Sequence, residues 1–583
     1  MDSYLPIGRL KGRNIKDRAS LINAALGREK ADLVIKGAKV YNPFTGAFQK
    51  GDLAVAGGRV AGLGSYEGKE TYDAQGGFLI AGFIDSHVHL ESSMTGPTEF
   101  AKTLSTFGTT TVIADPHEIA NVAGTTGLKW LIEATEDLPI NVFIMAPSCV
   151  PATHLERGGA TLDAPDINEL LKHHRVLGLA EMMNFPGVLA SDPGVLAKLS
   201  LAALIDGHSP GTTGPSLAAY VGAGISTDHE CISVIDAQER LALGQRILMR
   251  QGTAAKNLLD LLPAVNSHNS RFFHLATDDH HAQDLVREGS INHLVALAVE
   301  ARPNDLTSIL NMATLNPALH YDLRDLGALV PGYFADMALY PDLENFKPTA
   351  VWQRGNLVAQ FGRSLWSKPP ANTDSFRHTV TLGQLTLDSL KVPAIGPNIR
   401  VIGVVPGQIV TEHLIETPTS SRGFYQADGP NDLAKLAVWD RYGSKKPPSV
   451  GFIRGLGLGF GAVGATVSHD SHNLVVAGVD DNDMLLCAGH LEKIGGGLAL
   501  ALNGQILGSL ALPLGGLMSE MTMEETVREL EKLSASGRML GFKDDFDPFM
   551  TLAFMSLPVI PKLKLTANGL VDVLAFKIVE TVF

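Results

Sequence analysis

The chain has 583 residues, 45% hydrophobic and 19% charged, enough for a large core and too long for one ordinary domain. Lys and Arg number 47 against 61 Asp and Glu, a formal net charge of −14; no basic block stands out, which argues against a nucleic-acid partner. No stretch reads as a membrane span or signal peptide, and Cys149, Cys231 and Cys487 form no C-x-x-C pair, so a cytoplasmic protein with reduced thiols and no cysteine metal site is expected.

The chain opens with a short helix expected at 18–28. DLVIKGAKVYN, a turn at 43–46 and DLAVAGGRVAGLG then read as short strands with glycine-containing turns. Residues 1–80 are thus the first segment of a small β domain. From Phe83 short apolar strands alternate with helix-length segments. Strands are expected at 84–89, 109–115, 141–147, 176–182, 203–208, 224–229, 247–252 and 272–278. Helices are expected at 97–107, 121–137, 167–174, 237–243 and 255–261. Eight β/α repeats in about 250 residues are the signature of a TIM-like (β/α)8 barrel, placed at 81–328, whose chemistry sits at the C-terminal ends of its strands.

GALVPGYFADMALY and AVWQRGNLVAQFG return to short strands over 329–365. They are expected to pair with the N-terminal segment, so that one small β domain forms from both sides of the barrel. WSKPPANTDSFR, 366–377, is apolar-poor and reads as a linker. Residues 378–583 read as a C-terminal α/β domain. Its strand-like runs are RVIGVV, QIVTEHL, AKLAVWDRY, NLVVAGV and GLALALNGQILGSLALP, and a solvated amphipathic helix is expected at 523–536.

The chemistry begins at FLIAGFIDSHVHLESS. Alternate residues of a strand share a face, so His87 and His89 point the same way. Alone, such a pair is better explained by two hydrogen-bonded histidines. The other expected strands add partners at the same barrel end: Asp115-Pro116-His117-Glu118 after the second, Glu181 on the fourth, Asp206-Gly207-His208 on the fifth, Asp228-His229-Glu230 on the sixth, and Asp278-Asp279 on the eighth. Each has a bland reading as a cap or turn former. Jointly they bring His87, His89, Glu181, His208, His229 and Asp278 to one mouth.

Four histidines and two carboxylates suit zinc, manganese or iron. They are too many for one ion that keeps a water and fit two ions: His87, His89 and Asp278 on one, His208 and His229 on the other, Glu181 bridging. Such a pair makes a hydroxide available near neutral pH, with Asp278 beside it to take and return a proton. Hydrolysis at a planar electrophilic carbon follows, either an amide carbonyl or an amidine-like C–NH2. No dinucleotide loop, G-x-S-x-G elbow or P-C-x-x-C motif offers another route.

At these residues the chain resembles the amidohydrolase superfamily and, within it, the bacterial adenine deaminase family. The segments that carry the resemblance are GFIDSHVHLESSM, TVIADPHEIANV, LAEMMNFPGV, DGHSPG, AGISTDHE, GTAAKNL, TDDHH, MATLNPA, VSHDSHN and PLGGLMS. Relatives such as dihydroorotase bridge their metals with a carboxylated lysine where this chain has Glu181. The loop TDDHHAQDL departs from the family pattern at His280 and Ala282, where Arg and Pro are expected.

The resemblance implies hydrolytic deamination of adenine to hypoxanthine and ammonia, with a metal-bridged hydroxide attacking C6. It implies two divalent ions, manganese foremost with iron or zinc as alternatives, a homodimer, and a place in purine metabolism. The alternative is another dinuclear amidohydrolase acting on a cyclic amide or other aminopurine. Glu91, Asp115 and His117 are candidates to handle charge on the ring nitrogens, beside Asp278 as the proton carrier. Glu118, Ser92, His469 and His472 are candidates to contact substrate. VSHDSHN and the glycine-rich 455–464 would either cap the barrel mouth or form turns within a sheet.

Overall fold

The computed structural model describes residues 15–583 apart from 254, 368, 370–372, 374–375, 407 and 544–545. The expected linker 366–377 falls partly outside the described residues.

Eight parallel strands form the barrel: β1 (Phe83–His89), β2 (Thr109–Ala114), β3 (Asn141–Ala146), β4 (Val176–Met182), β5 (Ile205–Gly207), β6 (Thr227–Asp228), β7 (Arg246–Arg250) and β8 (Phe273–Ala276). Every residue of β1, β2 and β3 is buried, as expected of parallel strands covered on both faces. One run is ordered β5-β4-β3-β2-β1 and the other β6-β7-β8. Two seams join them. Ser226 N–H donates to the Ile205 carbonyl (2.9 Å), and Asp278–Asp279, just past β8, pairs in parallel with Val88 and His89 of β1. The second seam closes the ring at the residues that carry chemistry.

All eight expected strands are present. β5 and β6 are shorter than expected at both ends. The helix expected at 121–137 starts earlier, spanning His117–Ala134 with a kink at Gly124 (φ 58°). The helix expected at 255–261 is confined to Leu258–Leu261.

Before the barrel, the helix expected at 18–28 lies at Ile15–Ala25. A nine-stranded sheet draws on both flanks of the barrel, as expected. Phe78–Ala81 pairs in parallel with Ala31–Asn42 and antiparallel with Met337–Tyr340. The strand that anchors this sheet is separated from β1 only by Gly82, so the β unit fixes the entry of the first histidine strand.

The C-terminal residues form an eight-stranded sheet, antiparallel throughout except where Ile399–Val404 meets Ser449–Arg454. Asn503 and Gly504 both have positive φ (53° and 75°) and make the tight turn between Gly497–Leu502 and Gln505–Ala511. The helix Met523–Gly537 starts in a Thr522/Glu525 capping box. One hydrophobic core runs through barrel and C-terminal sheet, joining Leu90 and Ile119 to Leu512, Leu514 and Leu517. Backbone contacts reinforce the docking: Ser519 N–H donates to the Met94 carbonyl (2.8 Å), and Thr566 Oγ1 to that of Leu155 (2.9 Å). Among the described residues no helix is long and apolar enough to cross a membrane.

Candidate active site

The six expected ligands converge at the C-terminal ends of the barrel strands, and Glu181 stands at their centre. Its Oε1 lies 3.7 Å from His87 Nε2 and 3.4 Å from His89 Nε2. Its Oε2 lies 2.8 Å from His208 Nδ1 and 3.2 Å from His229 Nε2. Asp278 Oδ1 completes the first group, 3.5 Å from His87 Nε2 and 3.1 Å from His89 Nε2. All six are buried. His89 Nδ1 donates to the Asp115 carbonyl (2.9 Å), which leaves its Nε2 as a lone-pair donor toward the carboxylates.

Beneath the ligands lies a layer of buried aspartates that ties each strand end to another. Asp85 accepts from Thr277 N–H (3.1 Å) and Oγ1 (2.5 Å), which holds the chain as it enters Asp278. Asp278 itself has φ 61°, a strained conformation for a residue with a side chain. Asp115 accepts from Glu181 N–H (3.2 Å) and lies 3.2 Å from His117 Nδ1. Asp206 accepts from Thr227 Oγ1 (2.8 Å) and Tyr321 Oη (3.1 Å). Asp228 accepts from Ser209 N–H (3.1 Å) and Oγ (2.6 Å), fixing the residue after His208. Burial pushes the Asp85 and Asp206 carboxyls up to about 7.

Two residues outside the expected set complete the barrel side. Arg250 on β7 grips Glu230 with both terminal nitrogens (2.6 and 2.8 Å) and donates to Asp278 Oδ2 (2.8 Å). Glu230 Oε1 in turn lies 3.4 Å from His208 Nδ1 and 3.3 Å from His229 Nε2. Burial opposes ionisation of Glu230 and of Asp278, but the adjacent guanidinium and, after it, the neighbouring histidines hold both carboxyls below their ordinary range.

These groups open onto a cavity at the barrel mouth. The barrel contributes His89, His117, Glu181, His208, His229, Glu230, Arg250 and Asp278 to it. The facing wall comes from the C-terminal sheet region: Ile409, His469, Asp470, Phe554, Leu557 and Ile560. The His469 ring stacks on Phe554, with centroids 4.5 Å apart and planes at 17°. Of the two segments read either as caps of the mouth or as turns within a sheet, VSHDSHN reaches the cavity; 455–464 does not line it.

His117 and His469 therefore lie on the cavity wall, and Asp115 supports it from below. Glu91, Ser92, Glu118 and His472 are not among its lining residues. Glu91 Oε1 accepts from Ile119 N–H (3.2 Å). Ser92 Oγ sits 2.6 Å from Asp279 and 3.2 Å from Glu118, whose carboxyl is pushed up by burial and by Glu91 and Asp279. His472 Nδ1 accepts from Ser468 N–H (3.1 Å), so its proton is on Nε2. The residues that sequence reasoning passed over are Glu230, Arg250 and Asp470. The first and last stand beside histidines in D-H-E and H-D-S-H, the signal that was available.

Residues 78–358 match the amidohydrolase family and residues 408–577 the adenine deaminase C-terminal domain. The chain is 50% identical to adenine deaminase 2 of Carboxydothermus hydrogenoformans, across 97% of this chain and 99% of the relative. It is 45% identical to an adenine deaminase of Desulfatibacillum aliphaticivorans, across 96% and 99%. A solved β-aspartyl dipeptidase from Fervidobacterium islandicum AW-1 is similar over 58% of this chain and 99% of its own, with TM-score 0.44 and 18% identity.

Proposed function

The chain belongs to the adenine deaminase family of amidohydrolases, and from that premise we propose that it hydrolyses adenine to hypoxanthine and ammonia in the cavity at the barrel mouth. The observation that carries the reading is the division of Glu181. One oxygen faces His87 and His89 while the other faces His208 and His229.

This donor set fits a pair of divalent ions. It is all imidazole and carboxylate, and His87 Nε2 is buried without a hydrogen bond. His87, His89 and Asp278 would hold one ion, His208 and His229 the other, and Glu181 would span them. When bound, such ions supply Lewis acidity and bring the pKa of a water near neutrality. Manganese is the ion we propose, with iron and zinc as the competitors to test beside it.

The protein groups have distinct tasks. Asp278 is fixed by Arg250 through Oδ2, which leaves Oδ1 turned to His87 and His89. It takes the proton of the attacking water and delivers it to the departing amine. His117, paired with Asp115 and exposed to the cavity, meets the charge that builds on the ring nitrogens. Phe554, Ile409, Leu557 and Ile560 give the ring an apolar wall and keep bulk water out.

The test is ammonia release by the manganese-reconstituted protein from adenine, adenosine, guanine and dihydroorotate. Adenine is expected to be the substrate, and Asp278→Asn is expected to lower kcat by at least about 1,000-fold. No ammonia from adenine, with two equivalents of metal bound, would discard this reading.

A further inference from the structure

On the cavity wall supplied by the C-terminal sheet region, one buried carboxylate has an oxygen without a hydrogen bond. Asp470 is 2% exposed, and its Oδ2 makes no hydrogen bond. Its other oxygen, Oδ1, has only long contacts with imidazole nitrogens, His117 Nε2 at 3.7 Å and His469 Nδ1 at 3.9 Å, both beyond hydrogen-bond reach. A buried carboxylate left so is costly unless a ligand supplies the donor. The other charged groups of the cavity are committed, Asp279 accepting from Ser92 Oγ (2.6 Å). Arg250 is spent on Glu230 and Asp278, and Glu181 faces the four histidines. The rest of this wall, apart from His469, is Ile409, Phe554, Leu557 and Ile560, which offer side-chain carbon only.

Adenine carries a donor suited to this vacancy. With C6 placed at Asp278, the five-membered ring is free to meet the opposite wall, and that ring bears one N–H. We propose that Asp470 selects the free base, its carboxylate accepting the N–H of the purine's five-membered ring. In a nucleoside the sugar replaces that hydrogen, neither nitrogen of the ring is a donor, and the carboxylate stays unpaired in the complex. Sites built around a substrate N–H reject analogues that lack it by as much as about 10,000-fold. The inference rests on adenine being the substrate and adds the group that distinguishes it from its nucleoside.

The experiment compares full-length, metal-loaded wild type with Asp470→Ala and Asp470→Asn. It reads kcat and KM for adenine, inhibition by 9-methyladenine, and bound metal as a check of folding. For Asp470→Ala we expect kcat/KM for adenine to fall about 100-fold, mostly through KM, while 9-methyladenine inhibition changes less than about 3-fold. Asp470→Asn keeps an acceptor oxygen and is expected to recover about 10-fold of the loss. An unchanged adenine preference in Asp470→Ala would overturn the proposal while leaving the deaminase reading intact. If Asp470→Ala does not fold, Asp470→Asn decides: no loss for adenine, or an equal weakening of adenine and 9-methyladenine, would overturn it likewise. No turnover of adenine by wild type would remove the deaminase reading, and this inference with it.

Discussion

The two walls of the cavity are made of different material. The barrel wall holds Glu181, Glu230, Arg250, Asp278 and four histidines, each tied to a neighbour by a hydrogen bond or ion pair. The facing wall is apolar except at His469 and Asp470. The difference indicates a division of labour: bond-making groups are locked into a rigid parallel barrel, and the shape that receives the ring is carried by a second body docked onto it. Substitutions on the first wall should therefore change kcat, and those on the second KM.

Arg250→Leu puts the largest strain on that division. It releases Asp278 and leaves Glu230 buried without its counter-ion. We expect kcat for adenine to drop about 100-fold or more with KM within about 3-fold, and Arg250→Lys to restore part of the loss. A rise in KM with kcat preserved would show that the barrel wall also recognises the ring.

Phe554→Ala works from the other side. It removes the face on which His469 stacks, and we expect KM to rise about 10-fold with kcat within about 2-fold. Steady-state kinetics decide it; a fall in kcat would mean that the docked wall also aligns the reacting groups.

The smallest effect concerns how the second wall is held. Lys564 is fully buried, and its Nζ donates to the carbonyls of Ile409 and Phe554, each at 2.9 Å. Burial pushes its pKa down to about 7 from an ordinary 10.5. Between those values the unfolded chain binds a proton that the folded one does not, so this group makes stability rise with pH across that window. Lys564→Met should flatten the slope. Urea denaturation of both proteins at pH 7 and pH 10 measures it, and equal slopes would refute the assignment.

The barrel wall was legible in the sequence because its signals are local. H-x-H, D-x-H and D-D at the ends of apolar runs need only the alternation of a strand and the rule that barrel chemistry sits at C-terminal ends. The second wall was not. The expected strands omitted Ser449–Arg454 and Ala462–Ala465, partly because glycine reads as a turn. Gly464 is instead required by packing, since a Cβ there would lie 2.8 Å from Cys487 Sγ on the helix Asp481–Lys493. Asp470 and Phe554 acquire meaning only through docking, and no sequence period connects them to His117. Arg250 was hidden differently. Within RILMRQ it reads as a strand-end cation, and its carboxylates come from the segments after β6 and β8.

The parallel pairing of Asp278–Asp279 with Val88 and His89 also bears on how the molecule comes into being. The Asp85–Thr277 contacts beside it span 192 positions, among the most distant pairings that the barrel contains. Contacts of such sequence separation form late because loop closure must precede any gain. A chain emerging from the ribosome holds His87 and His89 long before residue 278 is synthesised. A folding intermediate with seven strands in place has most of the core and none of the first ion's complete cradle. Ring closure is thus a condition of catalytic competence, and a chain arrested before it is inert however well the rest has folded.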